Sequence, residues 1–422
     1  MTSRTGLPIL AAVLFAAAPS ALAQEKPPAP PPAEEVPPRP GSADDVNFEL
    51  DTARPRPAGL LPNGPVSLLD PQIDRLNAYL KKEVALEVGL AYTAVYQDVS
   101  DGALGHGEAG DGDVFARWRL LGEEKGGWRG ILGANAEGRH DFGDATPRDL
   151  GDSFGSLWRT TNTFGRQEFD LIQLWWEQHL FDDRVVVTAG KMDPDNYYNT
   201  NRYQSDSTAF LSRAFSANPA RFHPSNGLGA NAKGKIAGDF YALVGFQDAN
   251  AVKTDSPFET VDEGDWWGAI EGGWTPKFEK LGKGAYRLTA WTVEELRDAG
   301  VPSDHGYALS CDQEVGRGFV PFFRAAIADG DVTGVDRFVC GGVGLEGVFG
   351  TDKDLTGFGL SYGEPSDAVR DSQWGGEVFH RFQVSPDIQF TIGYQYIHSP
   401  ADDTVAGDDP VHVFELRVRV TF

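Results

Sequence analysis

The last residues of the chain, 411–422, alternate between apolar and polar side chains. In an extended strand Phe414 and Leu416 lie on one face, and Glu415 and Arg417 lie on the other. A soluble β-sandwich would bury the apolar face, but it rarely places several charges on one short strand. A transmembrane barrel turns the apolar face to lipid and the charged face to a wet lumen. The pattern therefore favours a membrane barrel.

Similar alternation recurs about every ten residues from position 84 onward. The candidate strands are 84–97, 113–121, 128–141, 168–180, 185–192, 228–236, 239–248, 264–274, 285–294, 306–314, 318–328, 338–348, 355–363, 373–384, 386–398 and 411–422. The connections alternate between long and short, as in bacterial barrels with short periplasmic turns and longer external loops. The sequence predicts an all-β fold, an outer-membrane antiparallel β-barrel of about 16 strands over residues 84–422, with both ends in the periplasm. The strand registers within 306–348 stay open.

The N-terminal region predicts export. Arg4, an apolar run and Ala21-Leu22-Ala23 are typical of a secretory signal peptide over residues 1–23, which predicts export. Together with the predicted barrel, export places the mature chain in the cell outer membrane. Residues 24–66 are rich in proline and predict a disordered periplasmic segment. Asp70-Pro71 begins a short amphipathic helix, 67–83, which we expect at the mouth of the barrel.

Composition narrows the partners. The 422 residues carry a net charge of -25 and a pI near 4.6, which argues against nucleic acid as a partner. The acidic residues concentrate in predicted loops, such as 98–113 and 401–409. We interpret them as solubilising, mutually repelling loops. The alternative is divalent cations that bridge these acids to lipopolysaccharide phosphates.

The chain has two cysteines, Cys311 and Cys340. In the predicted layout they lie on strands that are not neighbours, roughly 9 to 10 Å apart, which exceeds the reach of a disulfide. The sequence slightly favours two free thiols. The spacing gives no support for a bound metal, and we expect neither a metal nor a cofactor.

Charged side chains of both signs occupy the predicted inward faces of the strands. They include Glu87, Arg117, Arg119, Glu137, Arg139, Glu177, Glu415, Arg417 and Arg419. A lumen that mixes guanidinium and carboxylate groups suits neutral polyhydroxylated solutes, because both groups hydrogen-bond hydroxyls. The alternative is a hydrated, nonspecific pore, and the chemistry of the residues leaves the two readings open.

The connection at 193–226 is too long for an ordinary loop and too rich in aromatic residues for a linker. We predict that it folds inward and narrows the pore. Its tyrosines would stack on sugar rings, and its charged groups would bind hydroxyls. The candidate residues are Asp193, Asp195, Tyr197, Tyr198, Arg202, Arg213 and Arg221. The alternative is an external loop packed on its neighbours.

Several motifs, in this order, resemble the carbohydrate-selective porin (OprB) family. They are Gly190-Lys191, Phe210-Leu211, Phe215, Asn218-Pro219, Pro224, Gly227 with Gly229, Phe323-Arg324, Gly342 with Gly344-Leu345-Glu346-Gly347, 354–359, Glu377 with Arg381, 385–389, Leu416-Arg417-Val418-Arg419 and Phe422. The resemblance covers about 68–422. It implies a sixteen-stranded barrel that passes sugars across the outer membrane by diffusion.

The function predicted from the sequence is therefore passive diffusion of mono- and oligosaccharides into the periplasm, with neutral sugars as permeating solutes. A nonspecific ion or small-solute porin is the first alternative. A barrel hydrolase is the second, because His380 and His398 are predicted to face outward on adjacent strands. We expect no enzymatic activity, since rim histidines are far more common than catalytic ones. We expect contact with outer-membrane lipid and lipopolysaccharide, and a homotrimer remains open.

Overall fold

The computed structural model describes residues 41–52, 59–61, 64, 70–124, 126–297, 299–402 and 409–422. Sixteen long antiparallel strands form a closed cylinder, since each pairs with the next long strand and the last pairs with the first. A two-residue strand lies in one turn. The strands are β1 (Leu86–Val99), β2 (His106–Gly122), β3 (Arg129–Asp141), β4 (Gln167–Leu180), β5 (Val185–Met192), β6 (Gly227–Ala237), β7 (Phe240–Asp248), β8 (Trp266–Trp274), β9 (Lys277–Phe278), β10 (Gly282–Val293), β11 (Asp304–Gln313), β12 (Phe319–Ala328), β13 (Val335–Glu346), β14 (Leu355–Pro365), β15 (Gln373–Ser385), β16 (Ile388–His398) and β17 (Val411–Thr421). The predicted barrel is confirmed.

Helices are few and short. They are α1 (Val46–Thr52), α2 (Asp70–Val84), α3 (Pro147–Ser153) and α4 (Arg213–Ser216), with 3-10 turns at Pro194–Asn196 and Val261–Glu263. Among the described residues, no helix has both the length and the apolar character needed to cross a membrane. The helix predicted at 67–83 is present as α2. It packs beside the start of the barrel, where the Trp118 indole N–H donates to the Val84 carbonyl at 2.9 Å.

The two faces of the cylinder differ in polarity as the alternation predicts. Ile270, Leu288 and Phe414 point outward and are each more than half exposed. On β17 the intervening Glu415 and Arg417 point inward and are buried. An exposed apolar belt around a polar interior is what lipid on the outside requires.

The predicted acidic loop at 98–113 is only partly a loop. β2 begins at His106, and Asp111 and Asp113 are buried inside the barrel. The prediction failed because this glycine-rich acidic run looks like a turn, whereas its partners lie on β3. The Arg139 guanidinium donates to Asp111 at 3.2 Å, and the Asn135 amide donates to Asp113 at 3.2 Å. Most of the second predicted acidic loop, 403–408, lies outside the described residues.

The predicted disorder over residues 24–66 is wrong for residues 41–52. This segment forms α1 and its approach, and Val46 and Leu50 pack against barrel residues such as Phe115. The carboxylate of Asp45 accepts the N–H of Asn47 at 2.9 Å at the start of the helix. A few apolar positions and one capping residue were therefore enough to dock a short helix. The predicted signal peptide and residues 24–40 lie outside the described part of the chain.

Cys311 and Cys340 lie on β11 and β13, which are separated by β12. Both thiols are free. The burial alternation turns Cys311 to the outer face and buries Cys340 inside the barrel. The predicted separation of the two residues is confirmed.

Candidate functional site: the constriction inside the barrel

The longest connection, 193–226, folds into the barrel, and the wall holds it by its main chain. The buried guanidinium of Arg324 on β12 donates to the carbonyls of Phe215 at 3.1 Å, Ala217 at 2.5 Å and Asn199 at 3.0 Å. One wall residue thus binds three peptide groups of this constriction loop. Charge-assisted hydrogen bonds of this kind are the strong ones, especially away from bulk water.

Two other wall residues, Glu377 on β15 and Arg417 on β17, bind the same loop. The Glu377 carboxylate accepts the N–H groups of Leu211 and Ser212, both at 2.8 Å. Arg417 donates to the carbonyls of Asp206 at 2.6 Å and Ala209 at 2.9 Å. Arg417 was predicted to line the solute path, but it is buried, and both of its terminal nitrogens donate to loop carbonyls. Its observed role is to anchor the constriction.

The wall carries glycines where the aromatic rings of the loop approach it. A Cβ placed on Gly359 of β14 would lie 2.6 Å from the Phe215 ring, and one on Gly344 of β13 would clash with Tyr203. Both rings belong to a buried aromatic cluster that also contains Phe210. These glycines therefore leave the space in which the constriction loop packs.

A second connection, 142–166, also folds inward and packs on the constriction loop. The Asp206 carboxylate of the constriction loop accepts the N–H groups of Thr163 at 2.8 Å and Asn162 at 3.2 Å. The carbonyl of Thr160 accepts a hydrogen bond from the Gln395 side chain of β16 at 2.8 Å. This second inward loop was not predicted from the sequence. Its aromatic residues, Phe154, Trp158 and Phe164, are buried and were the available signal.

The segment 41–52 occupies another part of the interior. Asp51 pairs with Arg117 at 2.9 Å, and Glu49 pairs with Arg419. Arg117 and Arg419 were both predicted to line the pore. The structure instead assigns their charges to the docked helix α1.

Glu137 and Arg139 lie together in a buried ionic cluster. Arg139 contacts Glu137 and Asp111, and the Lys253 ammonium pairs with Glu137 at 2.7 Å and with Asp44 at 2.8 Å. Asp44, Glu137 and Asp113 also bring one oxygen each within 4.8 Å of one another, a spacing suited to a cation. The ammonium and guanidinium groups already supply positive charge there, so the cluster does not call for a metal.

Arg119, Glu177 and Arg202 lie away from the meeting point of the two loops. Arg119 donates to the Gly122 carbonyl at 2.6 Å at the end of β2. Glu177 contacts His179 at 2.5 Å near the end of β4. Arg202 reaches the turn after β11, where it pairs with Glu314 at 2.9 Å. All three bind protein groups near turns.

Among the predicted charges of the constriction loop, Asp193, Asp195 and Arg221 have partners within the loop. Asp195 contacts Arg221 and approaches the His223 imidazole at 3.0 Å. Burial, followed by repulsion from Arg221, lowers the pKa of His223 to about 3, so the ring is neutral at physiological pH. Asp193 caps the 3-10 turn by accepting the N–H of Asp195 at 2.9 Å, and burial raises its pKa to about 6. The side chains of Asp193, Asp195 and His223 are also close enough to one another to hold a cation, although Arg221 already pairs with Asp195.

The two predicted tyrosines differ in exposure. Tyr198 is 2% exposed and packs edge-on against Trp267, with ring centroids 5.3 Å apart. Its ring is therefore used for packing. Tyr197 is half-buried. Glu415 is also buried and accepts from the Gln97 and Gln395 amides at 3.2 and 2.8 Å.

Three arginines remain half-buried where the two inward loops meet. They are Arg148, Arg159 and Arg213, of which only Arg213 was predicted from the sequence. The Arg213 N–H donates to the Arg159 carbonyl at 3.1 Å, which joins the loops at this point. None of the three side chains forms an ion pair or hydrogen bond with another described residue.

The arrangement proposed for a barrel hydrolase is not formed. On the outer face, His398 lies opposite Trp374, whereas His380 lies opposite Ile392. Along β15 this separates the two histidines by about 20 Å, at roughly 3.3 Å per residue. His380 instead hydrogen-bonds the Thr356 hydroxyl at 2.7 Å. The two imidazoles are therefore too far apart to act at one reacting centre.

A closed sixteen-stranded barrel with an apolar outside, a polar interior and inward-folded loops defines the class of outer-membrane porins. The sequence model of the carbohydrate-selective porin, OprB family, matches residues 124–422. The chain belongs to this family. Porins of this family and fold are typically non-enzymatic.

The two solved structures of Pseudomonas putida OprB have the same fold. The chain is similar to OprB of Pseudomonas putida in its high-pH structure, with a TM-score of 0.69 and 18% identity over 83% of this chain and 97% of that chain. The low-pH structure aligns over the same shares with a TM-score of 0.52 and 17% identity. A triple mutant of the Rhodopseudomonas blastica porin aligns with a TM-score of 0.49 and 12% identity, over 80% of this chain and all of that chain. No curated protein sequence matches the chain.

Proposed function

We propose that this barrel lets mono- and oligosaccharides diffuse passively across the outer membrane into the periplasm, through a lumen narrowed by the two inward loops. The observation that carries the proposal is the docking of the constriction loop by Arg324, Glu377 and Arg417. A fixed constriction with polar walls selects by size and hydrogen bonding, whereas an open bore would pass any small solute. Membership in the OprB family supports carbohydrates as the solutes.

Within the constriction, we expect the half-buried predicted residues to contact sugars. Arg213 can donate to hydroxyls, Asp193 can accept from them, and Tyr197 offers a ring face. Buried residues such as Tyr198 and Arg417 shape the path without facing it. This division refines the site predicted from sequence.

The export and assembly of the protein are also part of the proposal. Residues 1–23 act as a cleaved signal peptide. The apolar belt contacts outer-membrane lipid and lipopolysaccharide, and a homotrimer is the assembly to test. Chemical cross-linking of the detergent-purified protein distinguishes a trimer from a monomer.

Planar-bilayer recordings test the sugar preference. We expect maltose or glucose at millimolar concentration to block the ion current, and Arg213→Ala to weaken that block. Arg297→Ala is a matched control, since Arg297 is 62% exposed and pairs with Asp265 in another connection. A current that neither sugar reduces would favour the nonspecific porin.

A further inference from the structure

Positive charge is concentrated at one point of a strongly acidic protein. The chain has 62 acidic and 37 basic residues, and most interior arginines in the described part of the chain are used by carboxylates or loop carbonyls. Arg148, Arg159 and Arg213 are the exception. Their guanidinium groups are half-buried and lack a protein partner among the described residues.

The fold brings the three arginines together. Arg148 lies in α3 and Arg159 follows it on the same inward loop, where the Thr160 hydroxyl donates to the Pro147 carbonyl at 2.9 Å. Arg213 begins α4, and its N–H donates to the carbonyl of Arg159. Three adjacent backbone positions therefore carry the three side chains.

Electrostatics agree with this proximity. Burial lowers the pKa of Arg148 to about 10, and repulsion from Arg159, Arg139 and Arg213 adds to the effect. Burial, followed by repulsion from Arg159, lowers the pKa of Arg213 to about 10. Both groups stay protonated at neutral pH, so the cluster keeps its positive charge.

Two acids of the same two loops, Asp149 and Asp206, have other partners. The Asp149 carboxylate accepts from the N–H and hydroxyl of Thr146, at 3.0 and 2.7 Å, and pairs with Arg166 at 3.4 Å. The Asp206 carboxylate accepts the N–H of Thr163. Neither acid supplies a counter-charge contact to the arginines. An incoming anion would therefore meet unpaired donors.

We propose that Arg148, Arg159 and Arg213 form an anion subsite that makes this porin prefer sugars bearing a carboxylate or a phosphate over neutral sugars. A guanidinium binds either group through two parallel N–H donors, and it binds sugar hydroxyls with the donors that remain. A sugar acid or sugar phosphate satisfies both requirements within one molecule. This inference rests on the proposed carbohydrate transport.

The experiment measures block of the single-channel current by the purified mature protein. The four probes are glucose, gluconate, glucose 6-phosphate and acetate. We expect gluconate, glucose 6-phosphate or both to half-block at a concentration at least about tenfold below that of glucose, as one or more added charge-assisted bonds imply. Acetate should block weakly, and the block by sugar anions should weaken as the KCl concentration rises.

Variants locate the subsite. Arg159→Gln and Arg213→Gln should each reduce the ratio of gluconate to glucose affinity about tenfold. Arg213→Lys should keep part of that preference, because the charge remains. Arg297→Gln is the control and should leave the ratio unchanged. If a glutamine variant does not fold, the salt dependence of block in the unaltered protein and the lysine variant still decide the question.

The two sources of anionic charge are separated by comparing gluconate with glucose 6-phosphate. Tighter block by only one of them assigns the subsite to carboxylate or to phosphate. If acetate blocks as well as gluconate, the cluster accepts any anion and the inference is wrong. If glucose blocks but neither sugar anion binds more tightly, the inference fails while the proposed function survives. If no sugar blocks at all, both fail.

Discussion

Arg324→Met tests whether the wall holds the constriction loop in place. Methionine keeps most of the side-chain volume but removes the guanidinium that binds three loop carbonyls. A buried carbonyl without a donor costs roughly 1–3 kcal/mol. Water can reach the carbonyls once the loop is released, so we use the lower limit and expect about 3 kcal/mol in total. That loss changes the ratio of docked to released loop by roughly a hundredfold.

Two measurements would detect release of the constriction loop in Arg324→Met. Single-channel conductance should rise and become noisier, and trypsin should cut the loop after Arg202, Arg213 or Arg221 in protein reconstituted in liposomes. Arg287→Met is the matched control, because Arg287 is a buried wall arginine that pairs with Asp312 on the neighbouring strand at 3.3 Å. The control should leave the loop resistant to trypsin. A folded Arg324→Met barrel with unchanged conductance and unchanged trypsin resistance would refute the reasoning.

Three further predictions concern other parts of the molecule. Burial raises the pKa of Glu49 from 4.5 to about 7. Docking of α1 should therefore be strongest below pH 4.5 and should weaken by about 3 kcal/mol in all as the pH rises through 7. Conductance should be lower at pH 5 than at pH 8, and Glu49→Gln should remove this difference. Trp158→Ala should destabilise the packed loops by about 3–5 kcal/mol in denaturant unfolding, whereas Trp374→Ala, on the outer face, should leave them unchanged. Cys311 and Cys340 should resist a charged, water-soluble thiol reagent until the barrel is denatured, and rapid labelling of Cys340 in the folded protein would contradict its buried position.

The barrel was predictable because strand periodicity is local. The alternation through Phe414, Glu415 and Leu416 gives the inner and outer faces of β17 without any knowledge of the neighbouring strands. The same reasoning failed at Asp111. An acidic run with glycines has the local pattern of a turn, and only the cross-strand partner Arg139 makes it a strand.

The constriction was only partly predictable, because its contacts join distant parts of the chain. Length and aromatic content predict that residues 193–226 fold inward, and in the structure Arg324 and Arg417 of the wall donate to carbonyls of this loop. The residues that flank Arg417 and Arg213 in sequence do not reveal that Arg417 binds loop carbonyls while Arg213 has no ion pair with a described residue. That difference depends on partners from distant parts of the chain. Arg148 and Arg159 were missed because they lie in a shorter loop whose inward course depends on partners such as Asp206.

The mode of attachment of the constriction loop has a consequence for how this porin can diversify. Arg324, Glu377 and Arg417 grip peptide groups, which every amino acid possesses. Solvent-facing side chains of the loop can therefore be substituted while the hydrogen bonds from these three wall residues to the loop backbone are kept. A library randomised at such positions should yield folded channels with altered solute preferences. The barrel can thus become selective for new solutes without substitutions in its strands.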